Sequence, residues 1–191
     1  MSVSNPYTSG NFRNTFVANA KGFVQGGYAA DGVAKTKLVA AKGASTETLP
    51  FWGGIAITEK MAATNGNLNT VARATSYATI TGFTVNAQNY TALVTTDNTV
   101  PVSPVGTDVQ IFRLGEKVRI YLPIDPALDL TTVQVGAAVS FNFTTGKIIA
   151  FDTTALPVKV LAVDPAGLVA SYDAVSGNVT WVTGAVAEVE I

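Results

Sequence analysis

The sequence predicts an all-β protein: a small antiparallel β-barrel or sandwich preceded by an extended, Gly-rich N-terminal arm. Three observations carry that expectation. Apolar residues recur at every second position rather than at helical spacing, Thr, Val and Ala are abundant, and short apolar runs are separated by turns containing Gly and Asn. The 191 residues suffice for one domain with a core of its own. Residues 1–50 read as the arm, with short strands, and 51–191 as the antiparallel β domain.

The arm comes first. Gly10, Gly22, Gly26, Gly27, Gly32 and Gly43 interrupt any long element, while Tyr7, Phe12, Phe16, Phe23 and Tyr28 place large rings at irregular spacing. Such a segment builds no core alone, so its rings either cap the core of the β domain or dock on a neighbouring subunit. Its charge is skewed as well: Arg13, Lys21, Lys35, Lys37 and Lys42 against Asp31 and Glu47 leave residues 1–50 at +3 and the remainder at −4, within a net charge of −1. Without clustered Arg, that excess is too small for a nucleic-acid site, which needs a stripe of several phosphate contacts.

In the domain, 56–63 is ambiguous between a strand and a short helix, because Ile55 and Ile57 favour β structure. Strands are expected at 78–83, 90–95, 108–114, 117–122, 139–143, 148–151, 158–163, 168–172 and 179–182. The clearest are 117–122, with Val118, Ile120 and Leu122 on one face, and 139–143, with Val139, Phe141 and Phe143 on one face. Pro126 after Asp125 suits a single helical turn. The turns 144–147 and 175–178 read as hairpins in which Gly146 and Gly177 supply positive φ. These two hairpins resemble each other at an offset of 31: Ser140-Phe141-Asn142 and Thr145-Gly146-Lys147-Ile148 match Ser171-Tyr172-Asp173 and Ser176-Gly177-Asn178-Val179.

The composition excludes whole classes of chemistry. With no Cys and no His, the chain makes no thiol nucleophile, imidazole acid-base step, Ser-His-Asp triad, disulfide or Cys/His zinc site. Residues 22–27, Gly-Phe-Val-Gln-Gly-Gly, lack the Lys-Ser/Thr ending of a phosphate loop. Asp125 and Asp129 flank Pro126 in a turn and do not read as a catalytic carboxylate pair. Neither Asp97-Asn98 nor Asn65-Gly66-Asn67 has the density of a calcium loop. The reading is a non-enzyme with no cofactor, no metal, no nucleic-acid partner and no small-molecule substrate. The first residues lack the basic and apolar regions of a secretory signal, and no apolar run is long enough to span a membrane as a helix, so the expectation is a soluble chain made in a cytoplasm. Only 13% of the residues are charged, where ordinary domains carry about 25%. A surface short of charge is expected to be covered by other subunits.

Sugar binding by aromatic residues is the alternative for a β domain without a catalytic set, with Trp52, Trp181, Tyr90 and Tyr121 as candidates.

The Gly-rich arm, then 49–59 (Leu-Pro-Phe-Trp-Gly-Gly-Ile-Ala-Ile-Thr-Glu), then 114–118 (Leu-Gly-Glu-Lys-Val), and finally Gly136-Ala137-Ala138-Val139 leading into Phe143-Thr144-Thr145-Gly146-Lys147-Ile148 form a recognisable order. It resembles the structural cement, or capsid decoration, proteins of tailed bacteriophages. The resemblance implies a non-enzymatic β module on the outer surface of an icosahedral head, a homotrimer bound to the major capsid protein that braces adjacent capsomers against internal DNA pressure. It also implies a virion location after synthesis in the host cytoplasm. On that expectation Phe12, Phe16, Phe23 and Tyr28 are apolar anchors at a subunit or capsid interface, and Arg13, Lys35 and Lys37 meet acidic capsid surface. A tail- or surface-associated module that binds host glycans is the alternative.

Overall fold

A computed structural model describes residues 22–29, 32–62, 68–86 and 99–191, with the side chains of residues 32, 33 and 35 excepted. Within them the chain is all-β apart from one short helix, α1 (Gly32–Lys37). Five strands close into a barrel: β1 (Val39–Gly43), β2 (Ala56–Lys60), β3 (Thr70–Arg73), β4 (Gly82–Thr84) and β5 (Asp108–Arg113), in the order β1-β3-β2-β4-β5. Four of its seams are antiparallel and one, β1 on β3, is parallel. The parallel seam arises because β2 pairs antiparallel with β3, and β1 then closes the barrel on the far edge of β3. The barrel therefore begins at Val39, inside the first fifty residues.

Beside the barrel stands a three-stranded sheet of β6 (Arg119–Pro123), β9 (Lys159–Tyr172) and β10 (Val179–Glu190), in the order β6-β10-β9. A separate hairpin, β7 (Val139–Asn142) with β8 (Lys147–Ala150), packs Val139, Phe141 and Ile148 into the main core. Period-two alternation sorts the side chains into distinct cores. Ala41, Ile57, Val71, Val109 and Ile111 gather within the barrel. Their neighbours in sequence, Ala56 and Phe112, face the other way and join Ile120, Leu122, Phe141, Ile148 and Val189 in the main core between barrel and sheets. On the opposite face of the three-stranded sheet, Tyr121, Val169 and Val186 form a small third cluster with Phe23.

Several expected elements shift for local reasons. The 117–122 strand starts at Arg119, because Gly115 and Lys117 both take left-handed backbone, at φ 86° and 56°. The 78–83 strand shrinks to β4, because Ser76 and Thr79 form a turn in which the Thr79 and Ile80 amides donate to the Ser76 carbonyl. The ambiguous 56–63 segment begins as β2. The expected strands 158–163 and 168–172 are one strand, β9, which crosses Asp164-Pro165 through a register shift against β10 between Gly184 and Val186. At Asp125 the Ala127 amide donates to the side chain at 3.0 Å, so the expected helical turn is a turn capped by a carboxylate. The expected strand 90–95 lies outside the described residues.

Candidate functional site

Two features stand out as functional candidates: the path of the arm and a groove between the modules. The arm's described part, 22–29, runs where barrel and sheet meet. Near one end its backbone pairs with β9: the Leu168 amide donates to the Phe23 carbonyl and the Gln25 amide to the Leu168 carbonyl, both at 2.8 Å. A few residues on it pairs with β6, through Gly26 N to Tyr121 O at 2.8 Å, Tyr121 N to Gly27 O at 2.9 Å and Ala29 N to Arg119 O at 3.0 Å. The two outer strands of the sheet are thus joined by the arm, which acts as a fourth strand and seals edges that would otherwise stay open. Phe23 stacks on Tyr121, with ring centroids 4.8 Å apart, and Tyr28 meets Phe112 edge-on at 5.2 Å. Burial raises the Tyr28 phenol above its ordinary pKa.

The arm also grips the barrel. Asn86 donates from Nδ2 to the Gln25 carbonyl at 2.6 Å, and its Oδ1 accepts the Gly53 amide at 2.9 Å. Gln25 donates from Nε2 to the Gly53 carbonyl at 3.0 Å and accepts the Ala170 amide at 2.9 Å on Oε1. Both side chains are buried with their hydrogen-bonding capacity engaged. Gly26 and Gly53 let the two backbones touch: a Cβ on Gly26 would lie 2.3 Å from the Gly53 Cα. Asp164 accepts the Phe23 amide at 2.7 Å and fastens the arm's start.

Of the seven interface candidates, Phe23 and Tyr28 are thus anchors in their own chain: the Phe23 ring completes the small cluster of Tyr121, Val169 and Val186, and the Tyr28 ring packs on the main core across the sheet. Lys37 is exposed at the end of α1, and the Lys35 side chain is outside the described set. Phe12, Arg13 and Phe16 lie outside the described residues. Gln25, Asn86 and Gly53 were not singled out from the sequence, although the paired glycines 26–27 and 53–54 mark where backbones approach.

The groove, of about 390 Å³, opens between barrel, β7–β8 hairpin and three-stranded sheet. Trp52 and Tyr172 stack along it with centroids 6.1 Å apart, and Phe141 and Phe143 line the hairpin side. Trp52 is positioned by Arg73, whose guanidinium lies 4.9 Å from the Phe51 ring centre and 5.3 Å from that of Trp52. Arg73 pairs with Glu47 at 2.7 Å and donates to the Pro50 carbonyl at 2.7 Å, which fixes the loop 47–52 on β3. Tyr77 holds the hairpin in place, because its hydroxyl donates to the Phe141 carbonyl at 3.1 Å and accepts the Phe141 amide at 2.6 Å. Of the sugar-binding candidates, Trp52 lines the groove, Tyr121 is buried under Phe23, Trp181 packs beside Val100 and Val179, and Tyr90 is outside the described residues.

The two look-alike hairpins flank this groove and share their turn chemistry. Asn142 Oδ1 accepts the Thr144 amide at 2.9 Å and Asp173 Oδ1 the Val175 amide at 2.9 Å, while Gly146 and Gly177 each donate to the carbonyl of that same capping residue at 2.8 Å. Gly146 and Gly177 have φ of 69° and 75°. The Ser176 hydroxyl and the Val175 amide hold the Asp173 carboxyl below its usual pKa. Val175 at the second tip is 97% exposed.

No group of three acidic residues that could hold a metal ion occurs among the described residues, and no helix among them is long and apolar enough to cross a membrane. No protein-family model, no curated protein and no solved structure matches this chain.

Proposed function

We propose that this chain is a capsid decoration protein: a non-enzymatic β module that binds the outer surface of an icosahedral phage head, as a homotrimer on the major capsid protein, and braces adjacent capsomers. The observation that carries the reading is the sealing of the sheet by residues 22–29. A clamp must transmit tension from its arm into a body that does not deform. Here residues 22–29 are rooted by backbone hydrogen bonds to β6 and β9 and by the side chains of Asn86 and Asp164. Phe12, Arg13 and Phe16 follow one another within ten residues of that root, a reach of at most about 35 Å for extended chain. The low charge content, the net positive charge of residues 1–50 and apolar side chains such as Val135 and Val175 held outward on turns support the same reading. Three arms on one trimer would gain avidity through effective concentration although each contact is modest.

The rooted arm also sets how the reading is tested. A deletion must stop at residue 21, since 22–29 belong to the folded body. The full chain and the variant lacking residues 2–21 are mixed with undecorated heads and bound copies are counted by mass spectrometry against the shell protein. Near-stoichiometric binding of the full chain, lost in a truncated variant whose melting is unchanged, is the expected result. Binding that ignores the truncation removes the arm from the account, and a native particle carrying only a few copies removes the decoration role.

A further inference from the structure

We infer that the groove between the two look-alike hairpins is a binding site for a carboxylate-bearing saccharide. Its volume of about 390 Å³ is in the range of small-ligand sites and fits a short saccharide. Its walls combine two kinds of surface. Trp52 and Tyr172 line it as a stacked aromatic pair, an apolar surface on which the C–H groups of a pyranose can pack. Around them stand the hydroxyls of Thr144, Thr145, Ser171 and Tyr172, each able to donate and accept, and none of these hydroxyls has a hydrogen-bond partner among the described residues.

Charge selects the class of sugar. The groove's charged lining residues are Arg73 and Lys147, both cations, with no carboxylate on the wall. Arg73 is already neutralised by Glu47. Lys147 has no ion-pair partner among the described residues and lines the groove directly after the Thr144-Thr145-Gly146 turn. An uncompensated ammonium beside an aromatic pair and free hydroxyls favours a ligand that carries a carboxylate on a hydroxylated ring.

The same geometry disfavours a peptide. An extended peptide would add to the β9 edge that borders the groove, but the Leu168 amide and carbonyl and the Ala170 amide are taken by Phe23 and Gln25. The inference does not depend on where the chain sits in a particle.

The test uses the full chain in solution, titrated with digalacturonate, with neutral galactobiose and with an acidic peptide, and followed by amide NMR shifts. Saturable shifts with digalacturonate, confined to Thr144–Lys147, Trp52 and Ser171–Tyr172, are expected, with galactobiose binding about tenfold more weakly. Lys147→Gln, on a half-exposed position of the β8 end, should cost about tenfold for digalacturonate and leave galactobiose unchanged. A flat titration, equal affinity for the neutral sugar, tighter binding of the peptide, or an unchanged response in Lys147→Gln would each overturn the assignment. Because no particle is involved, a negative result leaves the decoration reading standing, and failure of shell binding leaves this one standing.

Discussion

Gln25 and Asn86, 61 positions apart, complete each other: the Asn86 amide group donates to the Gln25 carbonyl while both side chains hold opposite ends of Gly53. Barrel, arm and sheet meet at that point. Asn86→Ala strands the Gln25 carbonyl and the Gly53 amide in a buried place, and should cost about 3 kcal/mol. Urea unfolding should show a lowered midpoint with an unchanged slope.

Gly26→Ala should be worse than a substitution at a superficially similar glycine. Gly26 has φ 73° and its Cβ would overlap the Gly53 backbone, whereas Gly177 has φ 75° with open space around it. The expected costs are at least about 3 kcal/mol at Gly26 and about 1 kcal/mol at Gly177. Comparable losses in the two variants would mean that the close backbone approach is not there.

Tyr77→Phe removes the one hydroxyl that serves both backbone groups of Phe141. The ring contact with Phe143 survives, so the loss should be local, about 1–3 kcal/mol. Hydrogen exchange at the Phe141 amide should accelerate more than exchange in β10.

Acid should act through Glu59. Arg113, by hydrogen bond and charge, and Asn69, by hydrogen bond, hold the Glu59 carboxyl below the ordinary 4.5, against the opposing effect of burial. A carboxylate lowered in the folded chain adds stability that is complete above its unfolded value and is lost as pH falls through the folded one. Glu59→Gln should therefore melt below the parent near neutral pH and converge with it in strong acid. A gap that persists in acid would assign the effect to packing.

The parts of this fold that could be read from the sequence are those where period two is clean and turns are marked. β5, β7 and β8 fall within a residue of expectation, and the likeness of the hairpins at Asn142 and Asp173 reappears as shared capping. β1 and β3 were missed, because Val39–Gly43 is rich in Ala and Gly and Thr70–Arg73 is four residues long, so neither shows alternation. The helix Gly32–Lys37 follows glycine-rich chain and offers no acidic first turn to announce it. The groove was legible only as Trp52. Its other walls come from segments up to 120 positions away, such as Tyr172, and sequence spacing says nothing of that convergence.

The seal formed by Phe23 on the far end of the chain fixes an order of events during synthesis. Its amide waits for Asp164, 141 residues later. At translation rates of about 5–20 residues per second, that interval is roughly 7–30 s. Throughout it residues 22–29 lack their β9 partner and have only Asn86 and then β6 to pair with, while the barrel, complete once Arg113 has emerged, can already close. The sheet then matures last, by capturing a segment that was made first. A chain interrupted before β9 leaves the ribosome with its arm held by β6 and Asn86 alone and with the β10 edge of β6 open, ready to take a strand from another molecule.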